Sequence, residues 1–187
     1  MAHVRLVDLP ETDGPLRTLF ETYTERFGFL PNVLRLYGVR PKQAVSFFSP
    51  DGFYREVMFG ESGLTPAERE MIAVAVSVTN GCAYCTASHS AYLRQKSGDP
   101  ALADAVRADW RSAPLTERQQ AMLAYAVKLT VEPKGVGAAD VAALRAHGFS
   151  EADIVDITQV AATFNYTNRV LSALDVEPNP EFEQVGR

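Results

Sequence analysis

Apolar residues recur at helical spacing along most of the chain, and turn residues punctuate them. Leu16, Leu19, Phe20 and Tyr23 mark one face of a helix over Pro15 to Phe27, which Gly28 stops. Short helices follow over Pro31 to Tyr37, from Pro41 with Val45, Phe47 and Phe48 as core residues, and over Phe53 to Met58. Residues 101–109 suit another short helix. Thr116 with Gln119 forms a capping box that opens a helix to about Leu129. Ala138 to His147 is a helix closed by Gly148, and Ser150 with Asp153 starts a last long helix to about Leu174. Residues 1–14 read as an extended lead-in and the tail from Glu177 as polar.

The stretch from Leu64 to Lys96 departs from this amphipathic pattern. Ala67 to Thr79 is apolar at nearly every position, as in a buried helix. Val74, Val76 and Val78 also alternate like a strand. The Thr65–Glu68 capping box, Pro66 at the first helical position, the alanine content and the length decide for helix. Asn80-Gly81 stops it, since both residues tolerate a left-handed backbone. A second helix runs from about Cys82 to Ser97-Gly98. Gly63-Leu64-Thr65-Pro66-Ala67-Glu68 has a faint echo in Gly148-Phe149-Ser150-Glu151-Ala152-Asp153, which a shared helix-start signature explains nearly as well as a duplication.

Composition narrows the class without naming a function. The chain has 187 residues, 47% hydrophobic and 22% charged, enough for one all-α domain over 1–187 with a real core. A formal net charge of −5 argues against nucleic acid as a general partner. No apolar run approaches the ~20 residues that span a bilayer, so no membrane is expected. The start carries no secretory apolar region, which predicts a cytoplasmic protein. In that compartment a closely spaced dithiol is catalytic or metal-binding rather than structural.

Both cysteines of the chain, Cys82 and Cys85, lie at i, i+3 at the start of that second helix, with His89 a further turn on. Backbone N–H groups and the dipole there stabilise a thiolate, giving pKa values of about 3.5–7.5 against about 8.5 for a free thiol. If the two helices pack antiparallel, the Glu70 carboxylate faces His89 and raises its basicity, and His89 takes a proton from Cys85. On this spacing Cys85 is expected to be the more acidic thiol, because His89 is i+4 from it and i+7 from Cys82. Two buried small residues, or a zinc site on Cys82, Cys85 and His89, are the alternatives. The zinc site lacks a fourth ligand, as His3 and His147 are remote in sequence.

The spacing Glu70-x11-Cys82-x2-Cys85-x3-His89 resembles the core of the AhpD-like alkylhydroperoxidases of the carboxymuconolactone decarboxylase superfamily. Phe29-Leu30-Pro31-Asn32 and Phe164-Asn165-Tyr166-Thr167-Asn168-Arg169 resemble features of its peroxidase-related subgroup, and the similarity runs from about Phe20 to Pro178. The resemblance implies a single-domain all-α AhpD-like helical bundle, redox core 64–97, that forms a homo-oligomer. It further implies a thiol-dependent peroxidase needing no metal, haem or flavin. Cys85 would be the peroxidatic thiol, Cys82 the resolving one, His89 the base and Glu70 its orienting group. Its partners would be an alkyl or hydrogen peroxide and an external dithiol reductant. The best-studied members carry a histidine between the cysteines; here Tyr84 stands there, a poor base at neutral pH. A thiol-disulfide oxidoreductase, a non-enzymatic stress-related interaction module and the superfamily's decarboxylase chemistry are the competing readings.

Overall fold

The structure is a computed structural model that describes residues 2–187. The described residues form a bundle of ten α-helices with three short 3-10 turns and no strand. The helices are α1 (Gly14–Phe27), α2 (Asn32–Tyr37), α3 (Pro41–Phe48), α4 (Phe53–Phe59), α5 (Pro66–Thr79), α6 (Ala83–Ser97), α7 (Pro100–Asp109), α8 (Glu117–Val131), α9 (Ala138–Ala146) and α10 (Glu151–Ala173). The alternating valines therefore belong to a helix, α5. Its interior from Glu68 to Ser77 is buried without a break, which is why its sequence lacks a polar face.

Helix α5 is the axle of the fold, enclosed by α6, α8 and α10. The capping box at its start is fully formed, with Thr65 Oγ1 accepting from the Glu68 N–H at 3.2 Å. The buried Glu68 carboxylate pairs with Arg118, whose guanidinium lies 3.9 Å from the centre of the Phe149 ring. Helix α10 runs parallel to α5, and polar contacts fix the register at both ends. Ser62 Oγ donates to Asp156 near the helix starts. At the far end Asn168 Nδ2 donates to Ser77 Oγ at 3.0 Å, and Asn80 Nδ2 donates to Asn168 Oδ1 at 2.9 Å. Asn165 and Asn168 thus tie helices together, the structural role that polar residues in an apolar helix most often have.

The tail departs from the polar reading. Phe182 is 1% exposed and stands edge-on to Tyr84, Tyr92 and Phe29. Arg94, buried inside α6, holds this tail by donating to the Phe182 carbonyl at 2.6 Å and the Val185 carbonyl at 2.9 Å. The lead-in is anchored as well, since Val7 is buried and its N–H donates to the Arg35 carbonyl at 2.9 Å. No helix of the described residues is long and apolar enough to cross a membrane.

Candidate active site

The turn between α5 and α6 places the two cysteines. Gly81 takes the left-handed conformation at φ 68°, and the Cys82 N–H returns to the Ser77 carbonyl at 3.0 Å. This is a Schellman-type stop, and it makes Cys82 the N-cap of α6 in the very next residue. Cys82 Sγ accepts the Cys85 N–H at 3.3 Å, and the two sulfurs of these free thiols lie 2.7 Å apart. Both cysteines are buried.

The hydrogen bond between the two thiols reverses the acidity order expected from spacing. Hydrogen bonds from the Cys85 thiol, the Cys85 N–H and the Ser172 hydroxyl bring Cys82 down to about 6. Cys85 is pushed far above its ordinary value, first because it donates to the Cys82 sulfur and then by burial. The pair shares one proton, and the N-cap sulfur is the one left without it. The hydrogen bond between the two thiols outweighs the i+4 position of His89.

Glu70 and His89 meet as the helical register requires. Helices α5 and α6 are antiparallel, and His89 Nδ1 lies 2.6 Å from Glu70 Oε2, with Glu70 1% exposed. The imidazole is wedged edge-on against Phe164, centroids 4.5 Å apart, and Tyr92, 5.3 Å apart. With Nδ1 committed to the carboxylate, Nε2 is the nitrogen free for chemistry. The second oxygen of Glu70 has no hydrogen-bond partner among the described residues.

Cys85 and His89 line one cavity of about 50 Å³, walled by aromatic rings that include Tyr23, Tyr54, Tyr92 and Phe164. Cys82 does not line it. It lines a separate cavity of about 150 Å³ with Gly81, Ser172 and Asp175. The hydroxyls of Tyr54 and Tyr92 have no hydrogen-bond partner among the described residues. Burial first, with the charge of Glu70 adding to it, holds both phenols well above their usual range, so they stay protonated donors. Sequence reasoning missed them. Tyr92 is one turn beyond His89 and could have been found by helical spacing; Tyr54 comes from α4 and carries no local signal. Tyr84 is buried, and its hydroxyl accepts the Val33 N–H at 3.2 Å, which fixes it as a strut between α6 and α2. No three metal-ligating side chains converge among the described residues. His147 is exposed at the end of α9 with Nδ1 2.8 Å from the Ala143 carbonyl, and Trp110 lies half-buried against the core.

The carboxymuconolactone decarboxylase family model matches residues 50–128, the span that holds α4 through most of α8. A solved peroxidase-related protein with an alkylhydroperoxidase AhpD core, from Ralstonia eutropha JMP134, is 35% identical. The alignment covers 100% of this chain and 96% of that one at a TM-score of 0.94. The chain belongs to the AhpD-like carboxymuconolactone decarboxylase superfamily. A peroxidase-related protein from Silicibacter sp. TM1040, also uncharacterized, is 41% identical over 98% of this chain and 96% of that one, with a TM-score of 0.88. The debrominase Bmp8, solved in complex with 2,3,4-tribromopyrrole, shares the fold at 21% identity, 97% and 94% coverage and a TM-score of 0.81. Among functionally curated proteins there is no match. The AhpD-like fold therefore serves more than one chemistry.

Proposed function

We propose that this protein is a thiol-dependent peroxidase in which Cys85 attacks the peroxide and Cys82 resolves the product. The observation that carries this reading is the shared cavity. Cys85 and a carboxylate-backed imidazole face the same small, ring-walled space, and Cys82 stands outside it but in contact with the Cys85 sulfur. About 50 Å³ holds a peroxide group or a few waters, not a large substrate.

The chemistry balances on these groups. His89 Nε2 takes the Cys85 proton, a step that matters because Cys85 is the reluctant thiol of the pair. The thiolate attacks the outer peroxide oxygen, the O–O bond breaks, and the leaving alkoxide or hydroxide takes the proton back from His89. Tyr54 and Tyr92 donate hydrogen bonds to the peroxide oxygens as negative charge shifts between them. Cys85 is left as a sulfenic acid. Cys82, already ionised near neutral pH, attacks that sulfur, forming the disulfide and releasing hydroxide, which becomes water. An external dithiol then supplies two electrons and two protons to restore the thiols. Steady-state peroxide consumption with a panel of dithiol donors tests the reading: wild type should turn over and Cys85→Ser should not. Equal consumption by both would overturn it.

The acidic Cys82 with its own cavity favours a second reading, a thiol-disulfide oxidoreductase acting on a small molecule or partner protein. Disulfide exchange faster than peroxide reduction under the same conditions would select it.

A further inference from the structure

A groove of about 530 Å³ lies between α1, α3 and α4. Its walls are mainly apolar, with Leu19, Val45 and Pro50 among them, and Arg26 and Arg55 stand on its rim. Tyr23 and Phe48 line both this groove and the thiol cavity, so the two spaces meet across these side chains. Tyr23 is held there by its hydroxyl, which donates to the Phe48 carbonyl at 3.1 Å.

Arg26 and Arg55 at this groove, and Lys96 near them but outside it, lack counterparts. Arg26, Arg55 and Lys96 all approach the Phe59 ring, at 5.8, 5.0 and 5.9 Å from its centre. None of the three forms an ion pair with a carboxylate among the described residues, although the chain as a whole carries a formal charge of −5. Like charges gathered on one ring repel one another, and an anion relieves that repulsion. Guanidinium groups suit a carboxylate, which they take in a two-pronged fashion. The thiol cavity is too small for more than a peroxide group, so the body of an organic hydroperoxide must lie elsewhere. The adjoining groove is apolar, large enough and open at a cationic rim.

We propose that this groove holds the aliphatic body of an anionic amphiphilic hydroperoxide, with its carboxylate on Arg26 and Arg55 and its peroxide group reaching Cys85 past Tyr23 and Phe48. The proposal rests on the peroxidase reading for its reaction, but not for its binding. Movement of the Tyr23 or Phe48 side chain joins the two spaces. The reaction adds no new step: the hydroperoxide becomes the alcohol as Cys85 takes the outer oxygen.

Calorimetric titration with decanoate and with decanol, both redox-inert, tests the binding directly. Wild type should bind decanoate about tenfold to a hundredfold more tightly than decanol, the range for hydrogen bonds to a charged group. Arg26→Ala with Arg55→Ala should abolish that preference, and Val45→Trp, which fills the groove, should weaken both ligands. Circular dichroism confirms that each variant is folded. Equal affinity for the two ligands in wild type, or a preference that survives loss of both arginines, would overturn the proposal. So would sedimentation showing that Val45→Trp dissolves a wild-type oligomer, since a second copy of the chain would then fill the groove. Decanoate binding as described, with no peroxide consumed, would uphold the groove and overturn the peroxidase reading instead.

Discussion

The two sulfurs sit one helical turn apart, yet they live in different surroundings. Cys85 faces a small, ring-walled cavity with the Glu70–His89 pair and two unpartnered phenols. Cys82 faces a second cavity with Ser172 and with Asp175, whose φ of 50° is the one left-handed non-glycine conformation among the described residues. The helix dipole acts on both thiols and does not separate them. What separates them is first the hydrogen bond between the two thiols, with the N-cap N–H adding to it on Cys82; together they leave the charge on Cys82 and the proton on Cys85. The sulfur with the base and the cavity is the protonated one. The sulfur with the charge has no such base, and its cavity is the separate one beside Ser172.

The sharpest way to break this contrast is to remove each sulfur in turn. Cys85→Ser should eliminate peroxide turnover. Cys82→Ser should still consume one equivalent and then stop, because the sulfenic acid cannot be resolved; rapid-mixing peroxide assays at one and ten equivalents read this out. The base comes next. Because Cys85 must be deprotonated for attack, His89→Ala and Glu70→Gln should each slow single-turnover oxidation by about 10²–10⁴-fold, the range for general-base assistance. Unchanged rates would place the pair outside the mechanism. Tyr54→Phe and Tyr92→Phe remove only a donor from the Cys85 cavity. Each should slow the same step by about tenfold, the value of a typical hydrogen bond, with alkylation of the thiols unaltered. Slowing of alkylation too would point to disturbed packing instead.

The smallest effect sharpens the contrast on the Cys82 side. Iodoacetamide labelling of the reduced protein, followed by peptide mapping, should show Cys82 gaining reactivity with a midpoint near pH 6, with labelling rising as pH rises. Cys85 should label later. If Cys85 labels first, the hydrogen bonds at the start of α6 do not set the order of acidity.

Much of this arrangement is legible in the residues, and the parts that are not share a physical cause. The capping boxes at Thr65, Thr116 and Ser150 and the stop at Asn80-Gly81 are local devices, complete within a few residues, so they can be read directly. The Glu70–His89 contact is legible because helical register and an antiparallel pair suffice to bring it about. Tyr54 and Tyr23 reach the cavity from α4 and α1, through packing that no local pattern encodes. Arg94 is buried by binding tail carbonyls 88 and 91 residues away in sequence, which no local pattern encodes, and Phe182 hides in a stretch that is otherwise polar. The acidity order escaped because spacing gives distances along a helix, whereas the hydrogen bond between the two thiols decides which sulfur keeps the proton.

In the proposed mechanism Cys85 is the sulfur a peroxide oxidises. Dimedone trapping of sulfenic acid after one equivalent of hydrogen peroxide tests it, with Cys82→Ser and Cys85→Ser mapped by mass spectrometry. The adduct is expected on Cys85 in Cys82→Ser, and none on Cys82 in Cys85→Ser. An adduct on Cys82 in Cys85→Ser, with Cys85 unmodified in Cys82→Ser, would contradict it.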